Sequence, residues 1–120
     1  MKHSPLKLVL AVTKALADAQ RIRILMLLQE GELCVCQVVG VLKLATSTVS
    51  KHLSLLSAAG LVDVRKDGRW AYYRLASPSP DLRWIKSPLK DDPQIRADLK
   101  SLATIKKKDL EVLCRQQRPN

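Results

Sequence analysis

Apolar residues recur at helical spacing in the first thirty residues of the chain and predict two helices. The first begins at Pro5, a residue that suits a first helical turn, and runs to about Ala17. The second is capped by Asp18 and ends at Gly31. The apolar positions that define the two helices are Leu6, Val9, Leu10, Leu16, Ile22, Leu25, Met26 and Leu28.

Two further helical segments meet at a short turn between residues 33 and 60, as in a helix-turn-helix. The first begins around Leu33 and covers CVCQVVGVL. The second is capped by Thr46 or Ser47 and stops at Gly60. Its predicted buried face consists of Val49, Leu53 and Leu56, joined by Leu55.

The opposite face of that second segment carries small hydroxyl side chains and a lysine. Such side chains let a helix approach the floor of a major groove and bond with bases or phosphates, although an ordinary solvated face has the same composition. The candidate DNA-contacting residues on it are Thr46, Ser47, Thr48, Ser50, Lys51 and His52.

The segments LVDV and WAYYRL alternate as strands do, and Asp67-Gly68 between them predicts a hairpin turn. Arg65, Lys66 and Arg69 gather at the tip, where we expect them to repel one another unless a phosphate backbone lies alongside. The side chains predicted to face the core are Val62, Val64, Ala71, Tyr73 and Leu75. A basic hairpin after a helix-turn-helix predicts a winged helix-turn-helix, a mainly α fold with a small β-hairpin.

A Ser-Pro-Ser-Pro stretch at 77–80 breaks the chain, and a last helix is predicted at 93–116. Between them, the predicted buried points are Trp84, Ile85 and Leu89. The last helix carries a long apolar stripe formed by Ile95, Leu99, Leu102, Ile105, Leu110, Val112 and Leu113. That stripe is more than one small domain can cover, so the first and last helices are predicted to form a two-fold homodimer interface. The expected organisation is one domain over 1–120, with the helix-turn-helix at 33–60, the wing at 61–75 and the dimerisation helix at 93–116.

The net charge of the chain indicates which class of partner it binds. The 120 residues carry 21 Lys+Arg against 11 Asp+Glu, a net charge of +10 that is spread along the chain. An evenly basic small domain favours a polyanion partner, here double-stranded DNA, over a merely soluble basic protein. No apolar run reaches membrane-spanning length, so no membrane partner is expected. Lys14 and Asp18 interrupt the apolar N-terminal run, which we interpret as a helix and not as an export signal.

Two of the three cysteines, Cys34 and Cys36, are one residue apart at the predicted start of the third helix. Such neighbours do not form an ordinary disulfide framework, which favours free thiols and a cytoplasmic location. The helix N-terminus favours thiolates, and thiolates select soft ions. Residues two apart on a helix point about 200° apart at about 3.6 residues per turn, so sharing one ion is expected to require unwinding of that first turn.

Three segments, ELCVC, STVSKHLSLLSAAGLV and RKDGRWAYYRL, together resemble the ArsR/SmtB family of metalloregulatory repressors. The resemblance implies a homodimer that binds a palindromic operator in its own promoter and is released by a toxic metal or metalloid ion. The ELCVC box is most similar to that of the arsenic-responsive branch. It implies that Cys34 and Cys36 are ligands of trivalent arsenic or antimony.

The chain departs from that branch at two positions. Gln37 stands where the branch has an acidic residue, and Val39 stands where it has a third cysteine. The candidate third ligand is Cys114, from the same or the partner subunit; the alternatives are water, an exogenous thiol or a methylated arsenical on two thiols. If Cys114 is not a ligand, we expect it to be a free thiol that packs as a small apolar side chain. The zinc-responsive branch of the family binds its ion through Asp and His on the last helix. Here the last helix has three carboxylates but no histidine, which argues against a zinc site. The carboxylates are Asp98, Asp109 and Glu111.

Other readings of the same residues stay open. The cadmium/lead branch also uses a CVC box, but adds cysteines from an N-terminal extension, and this sequence has no cysteine before Cys34. In a thiol-redox repressor, an oxidant would oxidise Cys34 and Cys36, with Cys114 as the resolving thiol. Such a protein would release DNA in response to an oxidant, whereas the arsenic-responsive repressor would do so in response to a metalloid. An enzyme is not expected, because the sequence has no CxxC motif, phosphate-binding loop or catalytic cluster of carboxylates.

Overall fold

The computed structural model describes residues 4–117 as a mainly helical fold with a small antiparallel sheet, as predicted. The two ends of the expected 1–120 domain lie outside these residues. None of the helices between residues 4 and 117 is both long enough and apolar enough to cross a bilayer. In chain order the elements are α1 (Pro5–Leu16), α2 (Ala19–Leu28), β1 (Leu33–Cys34), α3 (Val35–Leu42), α4 (Thr46–Ala58), β2 (Val62–Asp67), β3 (Trp70–Leu75), α5 (Arg83–Leu89), α6 (Pro93–Ile105) and α7 (Leu110–Gln117).

The first two helices begin and end close to their predicted bounds because local signals fix them. Pro5 begins α1, and the Asp18 carboxylate accepts hydrogen bonds from the backbone N–H groups of Gln20 and Arg21, at 2.8 and 3.2 Å. This cap satisfies donors that the first turn of α2 leaves free. The apolar side of α2 then enters the core, where Ile24 and Leu27 are fully buried. Each such side chain contributes roughly 1.5–3 kcal/mol to folding.

The two helices and the turn of the predicted helix-turn-helix are confirmed, but the predicted N-cap of α4 and the predicted burial of Leu55 are not. Lys43 adopts a left-handed conformation with φ 58° at the end of α3, which turns the chain towards α4. The N-cap of α4 is Ala45, whose side chain has no acceptor, so the prediction of a Thr46 or Ser47 cap was wrong. The predicted core positions Val49, Leu53 and Leu56 are fully buried, whereas Leu55 is 44% exposed because it lies on the outer side of α4.

A third strand joins the predicted hairpin, with the order β1-β3-β2. Leu33 and Cys34 pair with Tyr73 and Tyr72, so α3 begins at Val35 and not at Leu33 as predicted. Strand pairing with residues forty positions away overrides the local helical pattern there.

The wing hairpin differs from its prediction in two further ways. Asp67 pairs with Trp70, which makes Gly68 and Arg69 the loop residues, one position later than expected. Val62 is buried as predicted, but Val64 is 45% exposed because the hairpin has left the helical core by that point.

The C-terminal region forms two helices instead of the single helix predicted at 93–116. Residues 106–109 separate α6 from α7. Upstream, Ile85 of α5 is buried as predicted, Leu89 is partly buried, and Trp84 is 67% exposed, so its predicted burial was wrong. The buried residue that the pattern missed is Leu82.

Most of the apolar stripe of the last two helices is used within the chain. Ile95, Leu102, Ile105 and Leu113 are buried, and α6 packs on α2 and α3 while α7 packs on α3. Among residues 4–117, half of the eight strongly exposed large apolar residues lie on α1: Leu6, Leu8, Val9 and Leu10, with exposures of 68, 45, 59 and 44%. Of the two helices predicted to meet a partner subunit, α1 therefore offers the larger free apolar surface.

The contact between α3 and α6 is close. A Cβ at Gly40 would lie 2.8 Å from the Cδ1 atom of Ile105, well inside van der Waals contact. Glycine at this point lets the end of α6 approach the backbone of α3. The chain continues from there through residues 106–109 into α7.

A buried ion pair fastens α6 to α2. Arg23 donates from Nε and Nη2 to the two carboxylate oxygens of Asp98, each at 2.8 Å. Gln20 accepts from Arg23 at 2.7 Å, and Gln94 donates to Asp98 at 2.9 Å. The hydrogen bond to Asp98 raises the pKa of Arg23, so the guanidinium stays charged throughout the physiological range.

Asp98→Asn is expected to lower the free energy of unfolding by about 3 kcal/mol, because it leaves the Arg23 charge uncompensated at a largely buried site. Urea denaturation followed by circular dichroism measures the change. Asp81→Asn is the matched control, since it breaks the exposed ion pair with Arg83 and is expected to leave stability unchanged. Equal losses in the two variants would contradict the role assigned to the Arg23–Asp98 pair.

Candidate thiol site and DNA-reading surface

The three cysteines come together from three different elements. Cys34 ends β1, Cys36 lies in the first turn of α3 and Cys114 lies in α7. Their Sγ atoms all lie within 4.8 Å of one another. Cys34 and Cys114 are 2% and 8% exposed, and Cys36 is partly buried, so the cluster is largely shielded from water.

The backbone at Cys34 removes a geometric difficulty that the sequence had suggested. Its φ of −78° and ψ of 151° are extended, and the residue is the N-cap of α3 instead of part of its first turn. The Cys34 and Cys36 sulfurs therefore converge without unwinding of the helix. The expectation that a shared ion requires such unwinding was wrong, because it assumed helical spacing at both residues.

Cys36 and Cys114 form a disulfide across 78 positions of the chain, with their Cα atoms 5.3 Å apart. Cys34 is the free thiol of the cluster. The neighbouring pair Cys34 and Cys36 is not bridged, as expected, but the expectation that all the thiols are free was wrong. The same three positions thus form either a group of three thiols or a disulfide beside one thiol.

Two glutamine side chains hold the backbone around the sulfurs. Gln37 accepts a hydrogen bond from the backbone N–H of Cys34 at 2.8 Å, and Gln117 donates to the backbone carbonyl of Cys36 at 2.9 Å. The remaining oxygen of Gln117 is buried and has no hydrogen-bond partner in the part of the chain that the structure describes. Gln117 also lines a cavity of about 330 Å³ that the three cysteines share with Thr46, Ser50 and Trp70.

That cavity links the sulfur cluster to the start of α4. Thr46 and Ser50 belong to the polar face of α4 predicted to contact DNA, and Trp70 begins the returning strand of the wing. The sulfur cluster, α4 and the wing therefore border the same cavity.

The polar face of α4 is exposed at Thr46, Ser47, Thr48 and Lys51, and partly buried at Ser50 and His52. His52 is held by Arg21, whose Nη1 lies 3.2 Å from His52 Nδ1. A guanidinium can only donate, so Nδ1 accepts and a neutral His52 carries its proton on Nε2. Arg21 is itself anchored by donating to the carbonyl of Ala15 at 2.7 Å.

The arginines of the wing are paired with carboxylates. Arg65 donates to both oxygens of Glu32, at 2.7 and 3.1 Å, and Arg69 donates to Glu111. The hydrogen bond from Arg65 lowers the pKa of Glu32. The expectation that the three wing cations repel one another unless a phosphate is present was therefore wrong, because these carboxylates offset the charge. Lys66 forms no ion pair within residues 4–117.

The wing arginines also lie over the aromatic residues of β3. The Arg65 guanidinium carbon lies 4.6 Å from the centroid of the Tyr72 ring, and that of Arg69 lies 5.1 Å from the Trp70 ring. These cation–π contacts fix both side chains along the surface of the hairpin.

Comparison with known proteins identifies the family. Residues 18–64 match the profile described as "Bacterial regulatory protein, arsR family". The homodimeric winged helix-turn-helix DNA-binding domain of a possible ArsR-family regulator from Mycobacterium bovis is 32% identical. The match covers 75% of this chain and 86% of that domain, with a TM-score of 0.61. The chain belongs to the arsR family.

The names of two curated relatives refer to resistance to different elements, arsenic and cadmium. The arsenic resistance regulator ArsR1 of Pseudomonas putida is 42% identical over 66% of this chain and 61% of its own length. A CadC homologue, a cadmium resistance regulatory protein from Staphylococcus aureus, is 44% identical over 62% of this chain and 61% of its own length. The chain thus spans about three fifths of the length of these relatives.

The structure shows how the two departures from the arsenic-responsive pattern fit within the arsR fold. Val39 is 7% exposed and packs in the hydrophobic core. The third sulfur of the cluster comes instead from Cys114. Gln37 provides the N-terminal hydrogen bond of α3 without a charge beside the thiols.

Two residues of the site escaped sequence reasoning. Glu32 and Gln117 act through partners 33 and 81 positions away, so no local pattern marks them.

The three carboxylates considered for a zinc-type site have other roles. Asp98 binds Arg23, and Asp109 accepts from the Val112 backbone N–H at 3.2 Å at the start of α7. Glu111 accepts from Arg69, a partner 42 positions away.

Gln37→Ala is expected to destabilise this arsR-family chain by about 1–2 kcal/mol, because the Cys34 N–H is left without its side-chain acceptor at a buried position. Gln37→Glu is the matched control: it keeps an acceptor of the same shape and is expected to retain most of the stability. Urea unfolding of the reduced proteins measures both. Equal stability of Gln37→Ala and the wild type would contradict this role.

Proposed function

We propose that the protein is a transcriptional repressor that binds operator DNA as a homodimer and is released by trivalent arsenic or antimony. The observation that carries the proposal is the convergence of Cys34, Cys36 and Cys114, with all three Sγ atoms within 4.8 Å. Membership of the arsR family and the likeness to an arsenic resistance regulator support it.

The chemistry of the cluster favours a three-coordinate ion. Arsenous acid exchanges its three hydroxyl groups for the sulfurs of three cysteine thiols. Each hydroxyl leaves with one thiol proton as water, so three waters are released and a pyramidal trithiolate forms. Soft thiolates suit such a thiophilic ion. Four-coordinate ions such as zinc prefer a fourth donor, and the cluster holds three cysteines among residues 4–117. Binding needs reduced Cys36 and Cys114, because a disulfide sulfur is no longer a thiolate donor.

The DNA-reading surface combines the recognition helix α4 with the wing. In this proposal α4 enters a major groove, while the wing follows the adjacent phosphate backbone. The residues assigned to DNA contacts are Thr46, Ser47, Thr48, Ser50, Lys51, His52, Arg65, Lys66 and Arg69. The net charge of +10 favours this partner.

In the proposed function, the form that binds operator DNA is a homodimer. The exposed apolar side of α1, with Leu6 and Val9 at 68 and 59% exposure, supports a two-fold interface in which α1 and the C-terminal helices meet. A two-fold dimer reads two half-sites, so we infer a palindromic operator. A reducing cytoplasm is the compartment in which this repressor would keep its thiols and meet its operator.

Release follows from the shared cavity. An ion held by the three sulfurs ties β1, α3 and α7 together, and the same cavity is bounded by Thr46 and Ser50 of α4. A change in the sulfur positions shifts the wall that supports the recognition helix, and DNA affinity falls because the base contacts lose their alignment.

The disulfide favours a second candidate function, a thiol-redox repressor. Hydrogen peroxide would take two electrons from the Cys36 and Cys114 thiols; the disulfide forms and two waters leave with the thiol protons. Cys34 takes no part in that bond. The two functions therefore differ in their need for Cys34.

Arsenite is expected to weaken binding of the reduced protein to labelled promoter DNA by about ten-fold or more, a typical coupling between two sites. Fluorescence anisotropy measures binding, and antimonite, cadmium and zinc are titrated in parallel. Cys34→Ser, Cys36→Ser and Cys114→Ser are each expected to remove most of the arsenite response while DNA binding is retained. Serine at Cys34 is well suited to the N-cap of α3. Release by arsenite in all three variants would contradict the proposed site.

Peroxide separates the two candidates. If the redox function operates, peroxide releases DNA from the wild type and from Cys34→Ser, but not from Cys36→Ser or Cys114→Ser, because only the latter two lack a disulfide partner. The same anisotropy assay, with thiol counting after each treatment, gives the result. Retention of DNA by the fully oxidised wild type would contradict a redox role.

A further inference from the structure

We propose that α7 transmits the state of the thiol site to the DNA-reading wing. In this inference, which rests on the proposed function, binding of Cys114 at the site holds the Glu111 carboxylate on Arg69. Arg69 is then unavailable to a DNA phosphate.

The geometry of α7 places both ends of this coupling on one face. Glu111 and Cys114 are three residues apart, and side chains at that spacing are neighbours on a helix. Cys114 is bonded to Cys36 of α3, while Glu111 accepts from the Arg69 guanidinium at the wing tip. Both residues also line one cavity of about 170 Å³ together with Arg69 and Trp70.

The other contacts of α7 are noncovalent, and they go mainly to α3. Leu113 is 4% exposed against the core, and Gln117 donates to the Cys36 carbonyl at 2.9 Å. Residues 106–109 connect α7 to α6 without regular helix. In the reduced protein without an ion, the covalent tie at Cys114 is absent and α7 is held by these weaker contacts alone.

Carboxylate and phosphate compete for the same guanidinium. Both accept paired hydrogen bonds from arginine in the same planar geometry, so Arg69 cannot serve both fully. An exposed ion pair such as this one, with side chains 57 and 55% exposed, is weak when its partners are free to separate. A tie at Cys114 raises the effective concentration of the carboxylate at Arg69, and that carboxylate also repels an approaching phosphate.

Glu111→Gln tests the coupling because it removes the charge and keeps the shape of an exposed side chain. Glu30→Gln is the matched control; Glu30 is exposed and its side chain forms no ion pair within residues 4–117. DNA affinity and its dependence on salt are measured by anisotropy for reduced proteins, with and without arsenite. Arsenite loading is followed separately by the ultraviolet absorbance of the arsenic–thiolate bonds.

In the arsenite-loaded state, Glu111→Gln is expected to bind DNA roughly three- to ten-fold more tightly than the wild type, the effect of about one phosphate contact. In the ion-free state the two proteins are expected to bind alike. The salt dependence of the wild type should lose about one phosphate contact on loading, and that of Glu111→Gln should not. Adding Arg69→Gln should abolish the difference that Glu111→Gln makes.

An equal gain in affinity in both states, or a gain of the same size in Glu30→Gln, would overturn the inference, because the effect would be one of net charge. An unchanged loaded Glu111→Gln would overturn it as well. In either case release of the wild type by arsenite leaves the proposed function standing. A loaded wild type that keeps its DNA would instead overturn the proposed function, and the inference with it.

Discussion

The close packing of α3 against the C-terminal helices is the constraint on which the site depends. Gly40 lets Ile105 approach the backbone of α3, and the Arg23–Asp98 pair holds α6 on α2 from the other side. These two contacts position α6, and residues 106–109 lead from its end into α7. Packing of α7 on α3 then brings Cys114 to Cys36, although 78 positions separate the two residues. The sulfur cluster is thus a product of core packing as much as of the CVC sequence.

The ion pairs of the wing lie close to the three cysteines in the structure. The two wing arginines bind Glu32 and Glu111, and each glutamate lies two or three residues from a cysteine of the cluster. The sulfur atoms, the start of α4 and the wing border one cavity. In the proposed function, a local rearrangement at the sulfurs is therefore sufficient to alter the surface assigned to DNA contacts.

Much of the fold could be predicted because its signals are local. The apolar spacing of α2 and α4, the Asp18 cap and the alternation of the wing strands each depend on residues within one or two turns. The short strand at Cys34 could not, since only its pairing with Tyr72 makes it extended. Nor does the sequence show that Arg69 meets Glu111. Cys114 could be named as a candidate, but its proximity to Cys36 arises from packing between distant segments.

The span between Cys36 and Cys114 encloses the recognition helix and the wing. Any link between the two sulfurs closes this part of the chain into a ring. In a chain-entropy description, closing a ring of this size disfavours the unfolded state by about 4 kcal/mol. A link between the two sulfurs therefore stabilises the folded arrangement of α4 and the wing, the two elements to which the proposed function assigns the DNA contacts.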